Sequence, residues 1–437
     1  MGNAGRRDRP GILSTSAYAR RIIDDEFDEL LAGLPAIAID GARAVGKTAS
    51  ALQRAATVYR LDDQAELGIA RADPHRLLDG APPILIDEWQ RLPESFDMVR
   101  RAVDDGAAAG TFLLTGSASP AAVPTHSGAG RVVRLRLRPM TLVERRVGDP
   151  TVSLGELLQG GRPPLAGRTD VRLEQYVEEI VASGFPGIRR LPDRARQAQL
   201  DGYLARIVDR DFEEVGREVR RPATLRRWLE AYAAATATTT SFERIRHAAA
   251  SEHGSTPTKA TTLPYRDVLE RLWILDPVPA WLPTRNRLAR LSFPPKHHLA
   301  DPALAARLLG VDAATLLAAR SVSPFVHREG TLLGALFESL VTLGVRVFAE
   351  ASGARVGHLR SWGGEREVDL IVERAGGIVA VEVKLRQVID EGDVRQLRWL
   401  QQELGKQVLD AVVVTTGPAA YRRPDGIAVV PAALMGP

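Results

Sequence analysis

The rhythm of apolar and polar positions changes twice along the chain. In the first 150 residues, short apolar runs alternate with longer amphipathic stretches. The runs are AIAID at 36–40, PILIDE at 83–88 and GTFLLTG at 110–116. Each is too short for a buried helix and each ends on polar residues, the pattern of strands buried on both faces. Helical stretches, ASALQRAATVYR and FDMVRRAV, follow the first two. Strands that alternate with helices predict a parallel sheet. RVVRLRLR at 131–138 alternates from Val133 onward and predicts an amphipathic strand, with Arg134, Arg136 and Arg138 opposite the apolar side and most of its arginines turned to water. From 171 to 216 the period becomes helical, with Leu200, Tyr203, Leu204, Ile207 and Phe212 on one face and a break at Gly184-Phe185-Pro186. Three further helices are predicted between 222 and 274, followed by two short apolar pieces, DPVPAWLP and RLARLSFPP. The last third reads as a helix (Leu333, Leu336, Phe337, Leu340), a hairpin EVDLIV…GIVAVEVK, a helix and the strand DAVVVTTG. The expected divisions are 1–150, a helical lid or connector at 151–220, a helical segment with a two-piece wing at 221–300, and an α/β unit at 301–437.

Composition narrows the chemistry. At 437 residues and 45% apolar content, several cores are expected. The net charge of +4 is small for this length and is weak evidence for nucleic acid. There is no cysteine, which excludes disulfides, thiolate metal sites and cysteine nucleophiles. No uninterrupted apolar run approaches a membrane span and MGNAGRRDRPG lacks the apolar core of a leader, so a soluble, cytoplasmic protein without a membrane partner is expected. Of the 58 basic residues only five are lysine, at 47, 259, 296, 384 and 406. A lysine that persists among so many arginines suits a place that needs a compact ammonium.

The strongest motif is Gly41-x-x-x-x-Gly46-Lys47-Thr48, between the first strand and a helix. In that setting backbone N–H groups of Ala44, Val45, Gly46 and Ala49 curl around a phosphate, and the helix N-terminus adds positive potential. Lys47 would reach the β- and γ-phosphates and Thr48 would ligate Mg²⁺. Asp87 at the end of the second run would hold the same Mg²⁺, and Glu88 would polarise the attacking water. Thr115 closes the third run, either as a γ-phosphate sensor or as part of a plain turn with Gly116 and Ser117. Arg131 is the arginine expected to approach a phosphate, in cis or from a neighbouring subunit. ATP and Mg²⁺ are therefore the expected cofactors.

The order GARAVGKT, YRLDD, ILIDEWQRLP, FLLTGS, LRLRPMTLVE resembles that of AAA-type P-loop ATPases of bacteria that carry a C-terminal domain of unknown function numbered 4143. ASGFPGIRR, YLARIVDRDFEEV and EVDLIV…VAVEVK resemble later landmarks of the same family, so the likeness runs along nearly the whole chain. It implies an α/β multidomain protein: a parallel AAA-type core, a helical and winged-helix middle, and a C-terminal α/β domain of the restriction-endonuclease type.

Within that frame the C-terminal polar residues acquire a candidate role. Asp369 and Glu382 lie on neighbouring strands and Lys384 is two residues beyond Glu382, on the same side. Asp369 and Glu382 would share a second Mg²⁺ with Glu338 near it, and Lys384 would orient water. The acid-x-Lys pattern alone is no rarer than chance in a chain with 54 acidic residues and five lysines. In the middle, Thr258, Lys259, Thr261, Thr262 and Arg266 would face DNA if the third helix reads a duplex. His297 and His298 lack a nearby carboxylate at ligand spacing, so no zinc is expected. The expected function is ATP hydrolysis coupled to action on DNA, in a homo-oligomer. The alternative is an ATP-dependent switch or scaffold that binds DNA or a partner protein through a silent nuclease fold.

Overall fold

A computed structural model describes residues 18–116, 130–214, 217, 221–250, 255–283, 293–318, 331–361 and 363–437. Ser117 and most of the second wing piece (287–292) lie outside these residues. After helix α1 (Ile23–Gly33), strand β1 (Ala36–Asp40) runs into the glycine loop and α2 (Lys47–Leu52). Then come β2 (Thr57–Arg60), α3 (Gln64–Ala72), β3 (Ile84–Asp87), α4 (Glu94–Asp104), β4 (Phe112–Thr115) and β5 (Val133–Arg136). The five strands form one parallel sheet in the order β2-β3-β4-β1-β5. Every residue of β1, β3 and β4 is buried, which is why these strands carry unbroken apolar runs.

The helical middle contains α5 (Leu173–Ala182), α6 (Asp193–Arg206), α7 (Pro222–Ala234), α8 (Phe242–Ala248) and α9 (Lys259–Arg271). After α9, Leu275 and Val278 form antiparallel bridges with Leu299 and Lys296. Segments 275–278 and 296–299 thus form a short bridged arm in the place expected for the wing. Helices α10 (Pro302–Leu308) and α11 (Ala313–Ala318) pack on α5, and α10 also packs on α6 and α7. The helical unit therefore continues past residue 300, beyond the expected boundary, because α10 fills the space between those helices.

The C-terminal unit opens with α12 (Leu332–Ala351), whose N-cap Thr331 accepts the Gly334 N–H at 3.1 Å. This helix is long and apolar enough to cross a membrane, yet its most apolar window is 67% buried, against β7, β9 and α10. Strands β7 (Arg355–Arg360), β8 (Glu367–Arg374) and β9 (Gly377–Lys384), helix α13 (Arg395–Leu404) and β10 (Val408–Thr415) follow. The sheet is completed by β11 (Tyr421–Arg422) and β12 (Ala428–Pro431), in the order β11-β12-β10-β9-β8-β7. β8 is antiparallel to both β7 and β9, and β10 lies parallel to β9. The terminal pair Met435–Gly436 joins Val152–Ser153, so the segment after the first sheet is stitched to the end of the chain.

Of the three arginines expected to face water, Arg134 is exposed, whereas Arg136 and Arg138 are turned inward. Arg134 pairs with Asp40 at 2.9 Å. Arg136 and Arg138 reach across to Asp276 at 3.0 and 2.9 Å, where Arg346 of α12 arrives at 2.7 Å. Burial alone would raise the Asp276 pKa, but Arg136, Arg346 and Arg138 overcome it and hold the carboxyl far below its usual range. β5 is amphipathic, but its polar side forms the junction of all three units.

Candidate functional site

The glycine loop is shaped by packing as well as by sequence. Gly41 has φ 151°, and a Cβ there would meet the Leu137 carbonyl oxygen at 2.2 Å, so only glycine fits against β5. Gly46 has φ 108° and Ala44 φ 63°, which turns the loop into a backbone cradle. Lys47 is buried, and its ammonium donates to the carbonyls of Gly41 at 2.8 Å and Ala42 at 2.9 Å. Burial lowers its pKa to about 8, against the pull of Glu88 and Asp40. The Thr48 hydroxyl donates to Asp87 Oδ1 at 2.8 Å, and the Thr115 hydroxyl bonds the same oxygen. Hydroxyls from two other elements thus meet at one carboxylate oxygen of Asp87. Glu88 has φ 57°, a left-handed conformation at the strand end, and accepts a hydrogen bond from Gln90. A Cβ on Gly116 would lie 2.6 Å from Gln90 Oε1, so the tips of β3 and β4 touch there. A hydroxyl and a carboxylate side by side at a helix N-terminus suit Mg²⁺ with a nucleotide phosphate.

Two contacts on this loop were not anticipated. Arg21 is buried and donates to the Val45 carbonyl at 3.0 Å, the Arg138 carbonyl at 2.6 Å and Glu144 at 2.9 Å. Arg43, on the loop itself, pairs with Asp211 at 3.3 Å, and Tyr203 donates to the Arg43 carbonyl at 3.2 Å. The helical stretch after 171 therefore lies directly on the glycine loop. Neither contact has a local sequence signal, because each joins residues more than 20 positions apart.

Arg131 is not at its own chain's glycine loop. β5 runs parallel to β1 with Val133 beside Ile37, so Arg131 lies level with residue 35, at the far end of the sheet. Six residues at 3.3 Å per residue separate that level from Gly41, about 20 Å. It pairs instead with Asp104 at the end of α4, at 2.8 Å. The cis role is excluded by this register.

At the C-terminal site the expected residues converge. Asp369 and Glu382 fall opposite each other by continuation of the β8–β9 register, in which Leu370 pairs with Val381. Lys384 Nζ lies 3.0 Å from Glu382 Oε1, and Asp369 Oδ2 accepts the Val383 N–H at 2.9 Å. The centre of the cluster holds a residue that was not foreseen. Lys296, from the wing, places its ammonium 2.8 Å from Glu338 Oε1, 2.8 Å from Asp369 Oδ1 and 3.5 Å from Glu367 Oε1. Its lysine rarity was a signal, but nothing in PPKHHLA ties it to acids 42 and 73 positions away. Burial raises the Glu338 and Glu382 pKa values to about 8, reinforced by Asp369. Burial would lower the Lys296 pKa, but Asp369 and Glu338 raise it well above the usual lysine value. Among the described residues no group of three or more acidic or histidine side chains is disposed to hold a metal ion. The second Mg²⁺ expected on Asp369 and Glu382 does not fit this arrangement, because the Lys296 ammonium already sits on Asp369 and the Lys384 ammonium on Glu382.

The residues expected to face DNA are largely engaged internally. Thr258 caps α9, Thr262 is buried, and Arg266 pairs with Glu270 at 2.8 Å while stacking on Phe242 at 4.2 Å. Lys259, Ala260, Leu263 and Asp267 form the exposed face of α9. His297 Nε2 bonds the Thr240 carbonyl at 2.6 Å and its ring packs on Tyr232 and Phe242, the setting of a core histidine.

Comparison with known proteins divides the chain in the same way. Residues 34–145 match the family described as AAA domain, 173–315 a domain of unknown function numbered 8612, and 333–435 the domain of unknown function numbered 4143. The chain thus carries an AAA domain, followed at its C-terminal end by a domain of the 4143 type. It is 29% identical over 307 residues to two uncharacterized proteins, Rv2008c of Mycobacterium tuberculosis and Mb2031c of Mycobacterium bovis. The match takes in 69% of this chain and 62% of each relative, so the chain spans less than two thirds of their length. A solved Walker-type ATPase of Pyrococcus abyssi, PABY2304, is 16% identical with a TM-score of 0.40, over 69% of this chain and 98% of its own.

Proposed function

We propose that the chain is an Mg²⁺-dependent ATPase whose turnover is coupled to action on DNA. The observation that carries the reading is the meeting of Thr48, Asp87 and Thr115 beside a buried Lys47 bonded to carbonyls of its own loop. Bound Mg²⁺ would neutralise phosphate charge and polarise the γ-phosphoryl group. The chain's own residues do the rest. Lys47 exchanges two neutral acceptors for phosphate oxygens, a stronger charge-assisted pairing. Thr48 and Asp87 would hold the metal ion, and the Thr115 hydroxyl fixes the Asp87 rotamer. Glu88, set apart from Asp87 by its left-handed backbone, takes the proton of the attacking water. Lys47→Ala should abolish ATP binding and turnover, whereas Glu88→Gln should keep binding and lose turnover. Normal turnover in Glu88→Gln would remove Glu88 from the reaction.

DNA is the proposed partner on the strength of the winged outline, and DNA-stimulated turnover of the purified protein is its test. The exposed face of α9, with Leu263 and Asp267, favours the alternative in which ATP controls contact with a partner protein and the C-terminal acids do not cleave. Association that depends on ATP and ignores DNA would support that alternative.

A further inference from the structure

The acid cluster lies on the C-terminal sheet, separate from the sheet that carries the glycine loop, so its chemistry is argued apart from the ATPase reading. Its central cation is delivered by another unit of the chain. Lys296 sits on the return strand of the wing, where it exchanges both backbone hydrogen bonds with Val278, each at 2.9 Å. Pro294 and Pro295 precede it and restrict the backbone. The Pro294 carbonyl accepts His358 Nε2–H of β7 at 3.1 Å, and His358 exchanges backbone bonds with Pro279 and Trp281. The wing is thus docked on the edge of the sheet, and its lysine points inward from there with 1% of its side chain exposed.

The surroundings are those of a cation site. Glu338, Glu367 and Asp369 all lie within 3.5 Å of the ammonium, and Arg360 shares Glu367 at 3.2 Å. On the other side, Glu382 gives one oxygen to Lys384, and its second oxygen, Oε2, is buried with no hydrogen-bond partner. An ammonium 2.8 Å from its acceptors also sets the spacing. Mg²⁺ needs oxygens at about 2.1 Å, so the acids would have to close in by about 0.7 Å to hold one. With 53 arginines available, the position keeps a lysine, whose compact head fits between carboxylates that a planar guanidinium would force apart.

We infer that this cluster is a cation site occupied by a tethered ammonium, so that Lys296 and a hard divalent cation compete for the same carboxylates. The cluster would accept Mg²⁺ or Mn²⁺ only when the Lys296 ammonium is absent from it.

The scarcity of lysine makes the test direct. The full chain is labelled with an amine-acetylating reagent and each lysine is read by mass spectrometry, with Mn²⁺ binding measured on the same sample by its electron paramagnetic resonance. Lys259, 74% exposed, is the internal reference. The expected result is loss of labelling at Lys296 relative to Lys259, with no Mn²⁺ bound at the cluster while that protection lasts. Labelling of Lys296 at the Lys259 rate in folded protein would overturn the inference, as would Mn²⁺ bound at the cluster with Lys296 still protected. Lys296→Met should gain one Mn²⁺ site over the parent chain, and Lys296→Met/Asp369→Asn should lose it; any P-loop contribution is common to all three and cancels. A folded Lys296→Met with no added site would overturn the competition. If Lys296→Met does not fold, the double variant, which removes one charge of each sign, should recover folding, and its failure to do so would refute the pairing.

Discussion

Lys47 and Lys296 are both buried and both hydrogen-bonded, yet their surroundings are opposites. Lys47 donates to two neutral carbonyls, and burial lowers its pKa to about 8. Lys296 stands among carboxylates that raise its pKa well above the ordinary value despite complete burial. A buried ammonium on carbonyl dipoles is under-compensated and gains when an anion arrives. One enclosed by carboxylates is already neutralised and gains nothing from a new partner. The same residue type therefore makes a ligand seat at one end of the chain and a lock at the other.

The largest expected effects break this comparison directly. Lys47→Met should abolish ATP turnover while leaving stability unchanged or slightly higher, because it removes a desolvated charge whose hydrogen bonds go to neutral carbonyls. Lys296→Met should cost about 3–5 kcal/mol, the usual penalty for leaving buried charge unpaired. Denaturant midpoints of the two variants decide the matter. Equal destabilisation would mean that the two lysines are held alike. Asp369→Asn in the Lys296→Met background should return part of the loss, which a purely steric role for the Lys296 stem would not allow.

The next effect sharpens the comparison through pH. His358, which ties the wing to β7, is buried and its pKa is lowered to about 4, first by burial and then by the Lys296 charge. The folded protein holds the ring neutral, whereas the unfolded chain takes up a proton near the ordinary histidine value of about 6.5. The stabilisation is therefore complete above that value and is lost as pH falls from it toward 4, at most about 3 kcal/mol. His298, whose pKa burial also lowers well below normal, adds to the loss in the same window. Unfolding midpoints should fall as the pH is taken from neutral toward the folded-state value of about 4, and His358→Gln should make that slope shallower. An unchanged slope would show that His358 is not what couples the wing to acid.

How much of this was legible depends on the range of each interaction. The glycine loop, Lys47 and Thr48 could be read because a phosphate cradle is built from contiguous residues between one strand and one helix, and Asp87 because it closes a second apolar run. The convergence of Asp369, Glu382 and Lys384 could be read because a short hairpin fixes register and face. Arg21 on the Val45 carbonyl and Lys296 in the acid cluster could not, since each joins distant segments through packing that no periodicity encodes. The β5 arginines show the limit of alternation. It identified a polar side, but whether that side meets water or Asp276 depends on the unit docked beyond it. Arg131 was misplaced because nearness to a glycine-rich segment says nothing about which end of a parallel strand faces the loop.

The smallest expected effect concerns that arginine. Its pair with Asp104 is exposed on both sides, so Arg131→Ala should leave the unfolding midpoint almost unchanged. Its own nucleotide loop is at the other end of the sheet, so loss of the side chain cannot remove a contact to that nucleotide. If Arg131→Ala nonetheless lowers turnover, the arginine acts on a neighbouring copy, and the protein works as an oligomer. Mixing then separates the cases. Arg131→Ala retains a sound P-loop and Lys47→Ala retains a sound arginine, so a mixed assembly places one intact loop beside one intact arginine. ATPase activity should rise above that of either variant alone if the arginine works in trans. Activity that stays at the level of the separate variants, with unaltered turnover in Arg131→Ala itself, would leave Arg131 a structural role at the end of α4 and none in catalysis.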